Sequence, residues 1–475
     1  MLQLDPAERA RLWDRLAAAI EEYAAHVDSA RVTPPMEPDK IRELLRGVRF
    51  EQPVPPLEAL DFAVRNLWRH QTHTPHPRYF GLFNPAPATM GIAADALVAA
   101  FNPQIAAWAH SPFAAEAEAH VIRALGERFG FEREAVDGVF CSGGAEANHT
   151  ALLAALTHRF PGFAGEGVRS LDSDPVLYAS AESHDSFRKA ARLCGLGTGA
   201  VREVPAGNDL RMEPAALKSQ VARDRKKGLA PFLVVSTAGT TNAGVIDPIQ
   251  PLAALAAQEG LWHHVDAAWG GAAALSPKLR GLLDGIEHAD SITFDAHKWL
   301  SAPMGAGIFL TRDPSILSKT FSTPTAYMPK DASGLDVTDP HLHSMQWSRR
   351  FIGLKVLLPM MAAGWDGYAE AIDRMTEMGE LLRRELTKRG WRIVNQTPLP
   401  VICFEDSRIP DVELVVQSVV RSGEAWISTT RLAGRTVARA CITNYRTSGE
   451  DVRALADSLD KARRQVLSSA APDRE

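Results

Sequence analysis

One lysine in this chain stands where surface charge does not account for it. Lys298 lies in Ala289-Asp-Ser-Ile-Thr-Phe-Asp-Ala-His-Lys-Trp-Leu-Ser-Ala-Pro303, just past a short β-forming run, Ser291 to Phe294, and between His297 and Trp299. An amine held among apolar neighbours gives up its proton more readily and can form a Schiff base with an aldehyde. Pyridoxal 5'-phosphate is an aldehyde cofactor that uses this chemistry. Most single lysines only carry charge to water on a long stem, so the reading of Lys298 depends on its company.

That company comes from other strand ends. Gly138 to Cys141 reads as a strand, Ser142-Gly143-Gly144-Ala145 as a tight turn and Glu146 to His158 as a helix. Glycines let a backbone approach a ligand, and the N–H groups of a helix start attract phosphate, although such a turn also uses glycine for geometry alone. Asp266, after a strand from Leu261 to Val265, offers an acid that would keep a pyridine nitrogen protonated and the ring an electron sink. His184 offers an imidazole for one ring face. Ala268, two residues beyond Asp266, offers a methyl group for the other. A metal site is the competing reading of His263-His264-Val-Asp266, since His264 and Asp266 share one face of a strand, but no third ligand is evident and no metal is expected. Gly195-Leu-Gly-Thr-Gly199 follows a predicted helix instead of a strand, which sets it apart from a dinucleotide fingerprint.

The elements that must position these groups alternate. Strands are predicted at 138–141, 176–179, 201–204, 232–236, 261–265, 291–294 and 305–310, with helices between most of them, and several strands are continuous apolar runs. This is the pattern of an α/β fold with a mostly parallel seven-stranded sheet covered on both faces, whose ligands gather at the carboxyl ends of the strands. Amphipathic helices come first; the initial one is capped by Asp5-Pro6-Ala7-Glu8. A long helical segment is predicted from Met345 to Met361, interrupted at Gly364-Trp-Asp-Gly367. Strands at 391–394, 401–404, 425–428 and 437–443, a helix at 412–420 and a last helix from Gly449 then form a smaller α+β unit. The expected organisation is an N-terminal helical segment (1–85), a large domain (86–364) and a small C-terminal domain (365–475). The 23-residue stretch from Phe321 to His343 lacks periodicity and has the length of a lid.

Composition excludes several classes. A net charge of −5, from 57 acids against 52 bases, is no nucleic-acid footprint. No apolar run approaches membrane-spanning length. The four cysteines are widely spaced and read as reduced residues, so a cytoplasmic protein is expected.

With these residues in hand, the chain resembles the pyridoxal-phosphate-dependent amino acid decarboxylases of the group that includes aromatic L-amino acid decarboxylase and glutamate decarboxylase. The likeness runs through Ser142 to Ala147, Ser183-His184-Asp185, Ala238-Gly-Thr240-Thr241, His264 to Ala268 and Asp295-Ala-His297-Lys298-Trp299, in order. It implies a fold type I homodimer with active sites at the subunit interface and the N-terminal helices packed on the partner. It also implies α-decarboxylation through a Schiff base on Lys298, with Ser142, Gly143, Gly144, Ala145, His184, Thr240, Thr241, Asp266, Ala268, Asp295 and His297 around the cofactor. Three positions depart from the family pattern. The family's loop tyrosine, which returns a proton to the substrate α-carbon, is replaced near its place by Pro340 or His341, and Tyr327 lies earlier. Loss of that tyrosine accompanies aldehyde formation in related enzymes, so an aldehyde synthase is the alternative. Asp295 stands where many members have asparagine, and Pro85 replaces a polar substrate-touching residue. Arg439 matches an arginine that meets a substrate carboxylate in glutamate decarboxylase; structural pairing with an acid competes with that role. Phe80, beside Tyr79 and with Phe83 nearby, inclines the substrate towards an aromatic amino acid.

Overall fold

A computed structural model describes residues 2–323, 325, 328, 332 and 334–470. Its main sheet has seven strands: β1 (Asp137–Cys141), β2 (Pro175–Ser180), β3 (Val201–Val204), β4 (Ala230–Thr237), β5 (Trp262–Asp266), β6 (Ser291–Asp295) and β7 (Gly307–Thr311), in the order β1-β7-β6-β5-β4-β2-β3. Only β7 runs against its neighbours. β2, β4, β5, β6 and β7 are buried along their whole length, which is why β2, β4 and β7 read as largely continuous apolar runs, while β5 and β6 bury polar residues as well. Because the strands on either side of β7 are parallel to one another, the loops after β1, β2, β4, β5 and β6 share one edge of the sheet. The helix Gly144–Arg159 crosses the sheet over β4 to β7 and brings its first turn to that edge.

The second sheet is antiparallel, with β8 (Arg392–Ile393), β9 (Val401–Glu405), β10 (Ser428–Leu432) and β11 (Arg435–Cys441) in the order β10-β11-β9-β8. The strand expected at 425–428 begins three residues later, at Ser428. The reason is a competing partner: Trp426 N–H donates to Arg78 O and Phe80 N–H to Trp426 O, so the run before Ser428 pairs with the loop at 78–80. Gly81 makes that junction possible, because a Cβ there would lie 2.5 Å from the rings of Tyr79 and Trp426.

The helix expected from Met345 starts instead at Leu354 and runs to Lys388. Residues 349–353 are drawn away from helical geometry by Glu118, whose Oε1 accepts from the backbone N–H groups of Ile352 and Gly353 at 3.0 and 2.9 Å. Arg349 Nη1 lies 2.7 Å from Glu118 Oε2, an ion pair off the line of its N–H bonds, with both side chains buried. The interruption at Gly364 is present: φ is +63°, a value that only glycine adopts without strain. At the N-terminus Asp5 caps Pro6–His26, accepting from Ala7 and Glu8, as the local sequence requires. Among the described residues no helix is long and apolar enough to cross a membrane. All four cysteines are free, three of them buried in β1, β9 and β11.

Candidate active site

Lys298 sits one turn beyond β6. Its amide donates to Asp295 O, and this turn brings Nζ to 3.0 Å from Asp295 Oδ2. The amine keeps a path outward, with its side chain 23% exposed, while Asp295 is buried and its Oδ1 has no partner among the described residues. His297 is also buried and is pushed below its ordinary pKa by that burial, with the Lys298 charge adding to the effect. Its Nδ1 accepts from Ala306 N–H, so the neutral ring carries its proton on Nε2, 3.9 Å from Asp295 Oδ2.

The predicted phosphate turn closes on this group. A Cβ on Gly144 would stand 2.9 Å from Asp295 Oδ2 and 3.3 Å from the Ala268 methyl, so the helix start, the acid and Ala268 converge on one place that glycine keeps open. The first-turn N–H groups of Gly144 and Ala145 have no intrahelical acceptor. Ser142 donates N–H and Oγ–H to Glu146 Oε2, and a Cβ on Gly307 would strike Gly143 at 2.5 Å. An open, N–H-lined helix start beside a partly exposed lysine paired with a buried aspartate fits the phosphate and the aldehyde of pyridoxal phosphate.

Asp266 ends β5, nearly buried. Its Oδ2 accepts from Asn148 Nδ2 at 2.9 Å and its Oδ1 from Ala268 N–H at 3.2 Å. His184 is exposed in the loop after β2; its Nδ1 accepts from Ser186 N–H, which directs Nε2 outward. The turn after β4 holds Thr240 and Thr241 at the same edge, with a difference between them. Thr240 is fully buried and its hydroxyl accepts from Val245 N–H, so it secures the turn, whereas Thr241 is half-buried. Both ring nitrogens of His264 are engaged: its Nδ1 meets Ser291 Oγ at 2.8 Å and its Nε2 meets Asn148 Oδ1 at 3.2 Å. Among the described residues no group of three or more His, Cys, Asp or Glu is placed to hold a metal.

The residues expected on the substrate side are less concentrated. Phe80 is 1% exposed and belongs to the core, its backbone tied to Trp426 and Cys441. Pro85 is buried on the same loop, where Phe83, at φ +63°, stacks on Trp269 with ring centroids 4.6 Å apart. The Arg439 guanidinium also lies over the Phe83 ring, 5.1 Å from its centroid. It is buried, makes one 3.4 Å contact to Ser428 Oγ, has no carboxylate partner among the described residues and leaves Nε and Nη2 unpaired. The pairing with an acid weighed from the sequence is therefore absent there. His341 is buried against its own chain, Nδ1 bonding Ala106 O and the ring lying 4.8 Å from Trp347. Tyr327 lies outside the described residues. Sequence reasoning missed Asn148, Phe83's packing role and Ser291. Asn148 carried a signal, since asparagine is a poor helix former and stands here on an alanine-lined, buried helix face.

Fold and site together define a pyridoxal-phosphate enzyme: a mostly parallel sheet with an open, N–H-lined helix start, a lysine and an acid at its carboxyl edge. The comparisons narrow the class. The family model described as "Pyridoxal-dependent decarboxylase conserved domain" matches residues 38–406. The aromatic-L-amino-acid decarboxylase of Bacillus atrophaeus is 32% identical over 463 residues, 95% of this chain and 94% of that protein. The phenylacetaldehyde synthase of Petunia hybrida is 28% identical over 93% of this chain and 92% of its own. The crystal structure of Oryza sativa TDC with PLP and tryptamine superposes with a TM-score of 0.91 at 26% identity, covering 98% of this chain and 100% of that one. The chain belongs to the pyridoxal-dependent amino acid decarboxylases, carboxy-lyases that use pyridoxal phosphate.

Proposed function

We propose that this enzyme removes the α-carboxylate of an aromatic L-amino acid to give the amine and carbon dioxide, with Lys298 as the residue that carries the cofactor. One observation carries the reading: Lys298 Nζ is held 3.0 Å from Asp295 at the end of β6, at the same sheet edge as Asp266 at the end of β5. When bound, pyridoxal phosphate supplies an aldehyde for a Schiff base and a ring that takes up the electron pair left when carbon dioxide departs.

The chain's own residues divide the remaining work. The Gly144 and Ala145 N–H groups bind the phosphate, and Asp266 holds a proton on the ring nitrogen. His184 and Ala268 cover the two ring faces. Lys298, with Asp295 as its partner, exchanges protons with the substrate amine. The unpaired N–H groups of Arg439 suit a carboxylate. Holding the Cα–carboxylate bond across the ring plane selects that bond over its neighbours. An aromatic side chain is favoured by the 32% identity to the Bacillus enzyme.

A second reading, an aldehyde synthase, has its own observation: His341, near the place of the family's loop tyrosine, is tied to Ala106. The protein is further proposed to work as a homodimer with the helical segment 1–85 on its partner. In support, a groove of about 550 Å³ runs between the helices Pro6–His26 and Pro56–Arg69, lined by Leu16, Ile20, Leu60, Leu67 and Trp68.

The test is a product assay by mass spectrometry on purified protein with pyridoxal phosphate and a panel of L-amino acids. An aromatic amine lighter than its parent by carbon dioxide supports the proposal. Aldehyde with peroxide establishes the synthase instead, and turnover of acidic amino acids alone sinks the aromatic assignment and makes Arg439 the selector.

A further inference from the structure

Behind Asp266 lies a chain of buried side chains that no step above uses. Trp262 Nε1 is 2.8 Å from Ser291 Oγ, Ser291 Oγ is 2.8 Å from His264 Nδ1, His264 Nε2 is 3.2 Å from Asn148 Oδ1, and Asn148 Nδ2 is 2.9 Å from Asp266 Oδ2. Trp262, Ser291, His264 and Asn148 are each at most 4% exposed. They come from β5, β6 and the phosphate-binding helix, so tertiary packing alone assembles them.

The chemistry of the groups fixes the direction of every hydrogen bond. A carboxylate only accepts, so the Asn148 atom facing Asp266 is the amide nitrogen and the atom facing His264 is the oxygen. Both Asn148 N–H bonds are used, the second on Ser186 Oγ at 2.9 Å. An amide oxygen also only accepts, so His264 Nε2 bears a hydrogen. Indole N–H only donates, which makes Ser291 Oγ an acceptor from Trp262 and leaves its own hydrogen for His264 Nδ1. Burial holds His264 far below its ordinary pKa, at about 3, consistent with a neutral ring. All four bonds then point the same way, towards the carboxylate, and hydrogen bonds in such a chain strengthen one another by polarisation.

We propose that Trp262, Ser291, neutral His264 as its Nε2–H form, and Asn148 act as a one-directional donor relay that keeps Asp266 ionised and oriented towards the cofactor's ring nitrogen. These are positioning residues, and the proposal rests on Asp266 being the ring-nitrogen partner. The relay also gives His264 a reason to be histidine: few other side chains accept on one edge and donate on the opposite edge across the width of a ring.

The first test needs no cofactor. Nitrogen NMR of histidine-labelled apo protein, with the His264 signal identified by its loss in His264→Gln, should show hydrogen on Nε2 and none on Nδ1 from about pH 5 to about pH 8. Hydrogen on Nδ1, in either the other neutral form or the cation, overturns the relay.

The second test is binding of pyridoxal phosphate and of its analogue with carbon in place of the ring nitrogen. Asn148→Ala should weaken the cofactor about 10- to 100-fold, the range for a hydrogen bond to a charged group, and the analogue less than about threefold. His264→Gln, which keeps a donor amide towards Asn148, should bind the cofactor more tightly than His264→Ala. Equal losses for cofactor and analogue in Asn148→Ala, while Asp266→Ala still discriminates between them, overturn the relay and leave the role of Asp266 standing. Failure of Asp266→Ala to discriminate overturns both.

Discussion

The ionic state of single residues decides most of what this site can do. Lys298 and the buried Asp295 form a close pair at the sheet edge, and replacing Lys298 by alanine should lower decarboxylation by at least about 100-fold, the lower end for a positioned proton-transfer group. Borohydride reduction of the loaded enzyme followed by peptide mass mapping should place the cofactor on Lys298; a label on another lysine would sink the assignment. The paired histidines of β5 make a prediction about acid. His263 is held at about 3 by burial, with the Arg312 and His288 charges contributing, and its Nε2 meets Ser236 Oγ at 2.7 Å. A lowered folded-state pKa means that the unfolded chain binds the proton first. The stability this contributes is whole above the ordinary histidine value of 6.5 and is lost as pH falls from there to about 3. His263→Gln should therefore reduce proton uptake on unfolding across that window by about one, measured from the pH dependence of urea unfolding. An unchanged slope would show that His263 titrates normally.

At the scale of elements, Glu118 links the helix Pro112–Arg128 to the segment ahead of Leu354 by two backbone acceptances and one ion pair. Gly353 is required there, since a Cβ would lie 2.5 Å from the Glu118 side chain. Glu118→Gln leaves the Arg349 charge buried without its counterion and should cost about 3–5 kcal/mol by chemical denaturation. A loss below about 1 kcal/mol would mean that water reaches Arg349 and the contact is not structural. The same contact explains the false helix start at Met345. Residues 345–353 are held out of a helix by distant segments: the Glu118 carboxylate takes the N–H groups of Ile352 and Gly353, Arg349 O accepts from Ile105 N–H, and Arg350 forms a bridge with Gln104. The displaced strand near Ser428 has the same origin, since Trp426 pairs with a loop some 350 positions away.

For the whole molecule, the apolar groove between the first and third helices is a face that one chain leaves open. If a second copy covers it, Ile20→Lys with Leu67→Lys should shift sedimentation from dimer to monomer and remove activity along with it; an unchanged dimer would place the interface elsewhere. Such large apolar patches are otherwise a liability for a protein in water.

The sequence by itself determined what depends on neighbours a few positions apart: the capped first helix, the alternation of strands and helices, the turn after β1 and the placement of Lys298, Asp266 and His184 at strand ends. These follow from periodicity, capping and turn geometry, which are local. Tertiary structure decided what depends on groups brought together from distant segments. It made Asn148 and His264 the support of Asp266, turned Thr240 and Phe80 inward, left Arg439 without a counterion among the described residues and packed Phe83 against Arg439 and Trp269. A buried hydrogen bond or ion pair is specified by position in space, and spacing along the chain carries no record of it.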